Sequence, residues 1–315
     1  MTRLAMVFPG QGSQSVGMML PFAVLPAVRA TFEEASSILG QDLWRLATDG
    51  PAEEQGRTVN TQPLMLTSGI ALLRAWLEAG GPAPACVAGH SLGEYSALVA
   101  ANAISFHEVL PLVRFRAQAM QDAVPEGTGG IAAILGLDDA AIRAVCEEAA
   151  QDEVLEPANY NAPGQVVIAG HRRAVERGMQ LAKARGARRA VALAMSAPSH
   201  CSLMRGAAQQ LGTRLETLTL RAPQVPLASN ADVVSPADPR ALRASLVRQL
   251  SLPVRWVECV RSLARQGARQ IIECGPGGVL TGLNKRITDQ AEAIALKDAA
   301  QLVELAKSAG ASDPA

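Results

Sequence analysis

Gly89-His90-Ser91-Leu92-Gly93 has the residue types and spacing for nucleophilic acyl chemistry. A short apolar run, Ala85-Cys86-Val87-Ala88, precedes it, and a helix-like stretch from Glu94 through Ala101 follows. Strand, sharp turn and helix is the setting in which Gly-x-Ser-x-Gly forms a nucleophile elbow. The glycines have a steric role, because a side chain at Gly89 or Gly93 would collide with the neighbouring strand or helix. The turn lifts the Ser91 hydroxyl clear of the sheet at a helix N-terminus, where the Leu92 N–H can help hold a developing oxyanion. The competing reading is a glycine-rich turn that contains a chance serine.

A serine hydroxyl needs a base within hydrogen-bond reach to act as a nucleophile at neutral pH. The chain has four histidines. His90 adjoins the serine, but neighbours at a sharp turn point in different directions. His107 lies in the first turn of a capped helix and reads as solvated. His171 opens a helix beside Arg172 and Arg173 and reads as exposed. His200 follows a strand and the turn Ser196-Ala197-Pro198-Ser199, at a helix start. A helix N-terminus disfavours imidazolium and keeps the ring able to accept a proton. The alternative for His200 is a structural histidine near a cap. No acid between Ser91 and His200 follows a strand of the main sheet. The expectation is a Ser–His dyad with the imidazole oriented by a neutral group.

Val109, Leu112, Val113, Arg116 and Met120 fall on one face of a helix. Arg116 therefore sits on the apolar stripe, where a guanidinium is costly unless paired. It is either half of a structural ion pair or a fork that grips a substrate carboxylate. Pro111 interrupts this helix and is expected to kink it. The loop Pro9-Gly10-Gln11-Gly12-Ser13-Gln14 fits neither the dinucleotide fingerprint nor a P-loop. It suits a second oxyanion donor, with the Gln11 N–H as candidate.

These groups need a scaffold. Apolar Leu4–Phe8 reads as a first strand, too short for a signal peptide or a membrane span. Helical patterns follow at 27–39 and 61–79, then the elbow, and Ser105-Phe106-His107-Glu108 is a capping box opening a helix to about Ala123. From 124 to 195 the order is β-α-β-β-α-β, the ferredoxin-like unit. Ser196 onward returns to helices and strands of the first kind, ending in a helix after Cys274-Gly275-Pro276-Gly277-Gly278. The expected fold is α/β: a hydrolase-like large domain, 1–123 and 196–300, with an inserted ferredoxin-like small domain, 124–195, and a fraying tail, 308–315. With 49% hydrophobic and 18% charged residues the chain supports a sizeable core, and a net charge of +0 gives no reason to expect nucleic acid or an anionic membrane as partner. Five scattered cysteines without a CxxC pair argue against a disulfide framework or a metal site and point to a reducing cytoplasm.

Together these residues resemble the malonyl-CoA:acyl-carrier-protein transacylase family. The matches are Phe8–Gln14, Gly89–Glu94, Arg116 with Met120, Asn159–Gly170, Pro198-Ser199-His200 and Gly275-Pro276-Gly277, spread over about residues 3–295. The resemblance implies a hydrolase-like domain with a ferredoxin-like one, Ser91 as nucleophile and His200 as base. It implies Arg116 for the malonyl carboxylate, Gln11 and Leu92 for the oxyanion, and Gln249 supporting the histidine. Met120, Ser199 and Asn161 would line the substrate site. Arg188, Arg189 and Lys285 would meet the carrier protein, although Gly278 stands where the family commonly has lysine. The substrates would be malonyl-CoA and the phosphopantetheine thiol of an acyl carrier protein, with no metal or tightly bound cofactor. A small Ser199 leaves methylmalonyl open as an alternative acyl group, and an acyl-thioester hydrolase on the same scaffold is the rival activity. Without flanking synthase or carrier domains in this sequence, action in trans is expected, in fatty-acid or polyketide synthesis.

Overall fold

The computed structural model describes residues 3–125, 127–193 and 197–311. It is a mixed α/β fold built on two sheets. The first is parallel, with β1 (Arg3–Phe8), β2 (Cys86–Gly89), β7 (Leu227–Ala228), β8 (Ala268–Glu273) and β9 (Glu292–Ala295) in the order β7-β2-β1-β8-β9. β1 lies at its centre and is covered on both faces, so its residues Ala5 to Phe8 are all 0% exposed and read as one apolar run. Leu4, Met6 and Phe8 face the core that contains the long helix Thr58–Glu78. Ala5 and Val7 face the helices Trp256–Arg265 and Val279–Ile287.

The second sheet is antiparallel: β3 (Gly129–Leu135), β4 (Leu155–Ala162), β5 (Gln165–His171) and β6 (Arg189–Ala192), in the order β4-β5-β3-β6. Period-two alternation divides its faces. Ala132, Ile134, Val166 and Ile168 pack on the helices Asp139–Ala150 and Arg172–Ala184. Ile131, Val167 and Ala169 turn the other way, towards Ala158 and Cys201. β4 is tied to the first unit through Val254, with Tyr160 N–H to the Val254 carbonyl and Val254 N–H to the Ala158 carbonyl, each at 2.9 Å. Ser91, His200 and Arg116 line one cleft together with Ile131, Asn159 and Val167 of the second sheet.

Local chemistry accounts for the helix starts. Asp138 accepts from the Ala141 N–H at 2.7 Å. Ser105 accepts from the Glu108 N–H at 3.2 Å and donates its hydroxyl to the Glu108 carboxylate at 2.6 Å. The helix Phe106–Asp122 runs continuously through Pro111.

Several elements escape sequence reasoning. Leu43–Thr48 and Ala52–Gly56 are helices too short to display a period, the first capped by Asp42. Strand β9 has only four residues. The segment expected to fray from 308 instead continues a helix, Ala299–Ala311, as far as Ala311. Its Leu302 and Ala306 are fully buried against the main core, and Gly310 lets it approach the Gly80 carbonyl. Residues 312–315 of that expected tail, and the expected boundary at 195/196, lie outside the described residues.

Candidate active site

The elbow sits at the carboxyl end of β2. A Cβ on Gly89 would lie 1.9 Å from the Gly93 backbone, and one on Gly93 would lie 2.0 Å from the Phe8 carbonyl oxygen. Neither obstacle can move without separating the helix Gly93–Ala100 from the sheet. Gly89→Ala is accordingly expected to lower stability by more than ~4 kcal/mol or prevent folding, as read by denaturant unfolding. An unchanged midpoint would remove the steric account. Ser91 adopts φ 52°, the left-handed region that non-glycine residues avoid. Its N–H donates to Asn230 Oδ1 at 2.6 Å, and Asn230 Nδ2 donates to the Gly89 carbonyl at 2.6 Å, so one amide clamps both sides of the turn.

Ser91 Oγ and His200 Nε2 lie 2.6 Å apart. His200 Nδ1 is 2.8 Å from the Gln249 carbonyl oxygen, a contact that requires Nδ1 to carry the hydrogen and leaves Nε2 free to accept. The orienting group is therefore a neutral backbone carbonyl. Gln249 makes this contact with its main chain; its side chain serves other partners.

The neutrality of the His200 ring has a different origin from the helix N-terminus expected from sequence. Residues Ser202–Met204 form a short 3-10 turn and the helix begins only at Arg205. The imidazole is 2% exposed, and its pKa is lowered to about 3 by burial first and by the Arg116 charge second. Its backbone stands at φ 63°.

Arg116 is 1% exposed on the buried face of its helix and forms no ion pair among the described residues. Nη1 donates to Gln62 Oε1 at 2.7 Å. Nη2 donates to Ser91 Oγ at 3.2 Å and to Gln249 Oε1 at 3.1 Å. The guanidinium also lies over the Tyr95 ring, 5.3 Å from its centroid. The acceptors of its hydrogen bonds are all neutral, so no anion is in direct contact with this buried cation among the described residues.

The remaining sequence candidates divide into two groups. Gln11, Leu92, Met120, Asn161 and Ser199 line the same cleft as Ser91, His200 and Arg116. Gly10 brings its loop against the elbow, since a Cβ there would lie 2.5 Å from the His90 carbonyl oxygen. The N–H groups of Gln11 and Leu92 have no acceptor among the described residues. Met120 Sδ accepts from Gln62 Nε2 at 3.4 Å. Asn161 Oδ1 is 2.7 Å from His90 Nε2, so the His90 ring is engaged by Asn161, whereas Ser91 Oγ pairs with His200. Arg188, Arg189 and Lys285 are exposed and lie apart from this cleft. His107 is exposed, whereas His171 is half-buried and accepts the Val154 N–H at 2.9 Å, which corrects the reading of it as exposed.

Sequence reasoning missed Gln62, Glu94 as more than a helix residue, and Asn230. Only Asn230 carried a signal: it follows a strand at the carboxyl edge of a parallel sheet, where site residues collect. No helix among the described residues is long and apolar enough to cross a membrane.

The acyl transferase domain family matches residues 5–310. A Salmonella typhimurium protein described as a malonyl CoA-acyl carrier protein transacylase is 54% identical over 303 residues, covering 96% of this chain and 98% of that protein. The crystal structure of an acyl-carrier-protein S-malonyltransferase from Burkholderia pseudomallei gives a TM-score of 0.95 at 54% identity, covering 97% of this chain and 99% of that one. A malonyl-transacylase solved in complex with its type II PKS acyl-carrier protein gives a TM-score of 0.95 at 49% identity, covering 98% and 100%. With a matching sequence and a matching fold along nearly its whole length, the chain belongs to the acyl transferase family, among its malonyl CoA-acyl carrier protein transacylases.

Proposed function

We propose that the chain transfers a malonyl group from malonyl-CoA to the phosphopantetheine thiol of an acyl carrier protein through a malonyl-serine ester. One observation carries this reading: the 2.6 Å Ser91–His200 pair shares its oxygen with a buried guanidinium that has no ion-pair partner among the described residues. The names of the relatives agree with it.

In the first half-reaction His200 Nε2 takes the Ser91 proton as Oγ adds to the thioester carbon. The N–H groups of Gln11 and Leu92 hold the oxyanion. Collapse breaks the carbon–sulfur bond, and the CoA sulfur leaves with the proton from His200. In the second, the carrier thiol gives its proton to His200, its sulfur attacks the ester, and Ser91 Oγ leaves and recovers that proton. Arg116 holds the malonyl carboxylate throughout. The developing charge is met by backbone dipoles and the carboxylate by a side chain, so the reaction as written uses no metal and no resident cofactor.

The antiparallel unit fits the ferredoxin-like insert of residues 124–195, because its strand order and two helices match β-α-β-β-α-β. Arg189 pairs with Leu135, which pairs with Gln165, whose amide accepts from Arg286. This link between the Arg189 end of the small sheet and the helix bearing Lys285 supports the reading of Arg188, Arg189 and Lys285 as a cationic rim for a carrier protein. Five free, buried thiols suit a reducing cytoplasm.

Intact-protein mass spectrometry tests the transfer. Malonyl-CoA alone is expected to leave a malonyl adduct on Ser91, and added holo carrier protein to remove it and gain the same mass. An adduct lost to water at an equal rate without carrier would instead indicate a hydrolase.

A further inference from the structure

Glu94 is the second residue of the helix that follows the nucleophile, is 0% exposed, and forms no ion pair among the described residues. Its contacts fall on one oxygen. Oε2 accepts from the Asn230 N–H at 3.1 Å and from Gln249 Nε2 at 2.8 Å, while Oε1 has no partner among the described residues. Gln249 Nε2 also donates to the Ser91 carbonyl at 2.8 Å, and Gln249 Oε1 accepts from Arg116 Nη2 at 3.1 Å.

The Gln249 amide thus stands between a guanidinium and a carboxyl group. Reversing it would set its NH2 against the Arg116 donors and its oxygen against the oxygens of Glu94 and Ser91. Both contacts would be repulsive in a buried site where unmade hydrogen bonds are costly. Glu94 and the Ser91 carbonyl together hold the NH2 end of the amide, and so set its oxygen towards Arg116.

We propose that Glu94 is a positioning residue for acyl-group selection, fixing the Gln249 amide so that the Arg116 guanidinium keeps its aim at the substrate cleft. It touches no reacting atom. The inference rests on the reading in which Arg116 receives the malonyl carboxylate. Burial pushes the Glu94 pKa up to about 7, against the pull of the Gln249 and Asn230 hydrogen bonds and the Arg116 charge. A proton on the unpartnered Oε1 leaves Oε2 accepting both bonds, so a glutamine at this position can copy the arrangement.

The test is the ratio of kcat/KM for malonyl-CoA to that for acetyl-CoA, with thermal midpoints measured alongside. Glu94→Met keeps the volume but offers no comparable acceptor, and is expected to lower that ratio by ~10-fold or more. Glu94→Gln is expected to restore most of it. A merely structural role would lower both substrates together. A folded Glu94→Met with the parental ratio overturns the proposal, as does a Glu94→Gln no better than Glu94→Met. If Glu94→Met does not fold, Glu94→Asp, which withdraws the carboxylate by one methylene, carries the test: a lowered ratio supports the proposal and an unchanged one overturns it. Arg116→Ala separates the two levels. If it keeps the parental ratio, the underlying reading has failed. If it loses the ratio while the Glu94 variants keep it, only this inference has failed.

Discussion

Ser91→Ala is expected to reduce malonyl transfer by on the order of 100,000- to 1,000,000-fold, the scale seen when a covalent nucleophile is removed. The variant should form no adduct with malonyl-CoA. Because Oγ lies 2.6 Å from His200 Nε2 and no other hydroxyl among the described residues contacts that nitrogen, none of them replaces it. His200→Ala keeps the nucleophile but removes the acceptor for its proton, and a loss of about 100- to 10,000-fold is expected. Stopped-flow acylation under single-turnover conditions reads both. A Ser91→Ala protein that still gains the malonyl mass, or retains a tenth of the parental rate, would sink the assignment.

The same pair has a pH signature. The folded pKa of His200, about 3, lies below the ordinary imidazole value of 6.5 because of burial and then the Arg116 charge. As pH falls, the unfolded chain takes up this proton before the folded one. The contribution of the neutral, buried ring to stability is therefore complete above about 6.5 and is lost as pH falls towards about 3. In the free enzyme the base also stays unprotonated through that range. An imidazole-type acid limb in kcat/KM near pH 6.5 would show that the ring titrates as an exposed one does.

The elbow was legible because its constraint is local. Gly89 and Gly93 are the residues whose Cβ atoms would strike backbone, and a five-residue pattern between a strand and a helix records that. Arg116 was legible through period alone, since one charge on an apolar stripe of Val109, Leu112, Val113 and Met120 must be held by something. The other partners were not, because long-range contacts leave no local mark. Asn230 meets Ser91 across 139 positions, and the Gln249 carbonyl meets His200 across 49. A backbone carbonyl acting as the orienting group is invisible in principle, since every residue has one. The cause of the neutral imidazole was misread for the same reason. Sequence supplied a nearby helix start, whereas burial and a charge 84 positions away (Arg116 to His200) do the lowering. The C-terminal helix was missed because its alanine-rich segment shows little polar contrast, yet Leu302 and Ala306 anchor it on the main core.

Arg116→Ala is expected to divide the two half-meanings of that guanidinium. Two charge-assisted hydrogen bonds to a carboxylate contribute about 3–6 kcal/mol, so malonyl kcat/KM should fall by ~100- to 10,000-fold. Acetyl-CoA brings no carboxylate and loses none of this. Its transfer should hold or rise, because the Arg116 charge is the second cause of the low His200 pKa and its removal strengthens the base. The parent enzyme can reach the same state only by binding an anion beside Arg116. A malonyl carboxylate that neutralises the guanidinium lets the His200 basicity recover while it fixes the acyl group. On the proposed reading the correct substrate thus improves the base that activates Ser91, and a neutral acyl group does not. The measurement is kcat/KM for both thioesters across pH in parent and variant. Parallel losses for malonyl and acetyl would mean that Arg116 merely holds Gln62 and Gln249 in place, and the carboxylate assignment would fall with it.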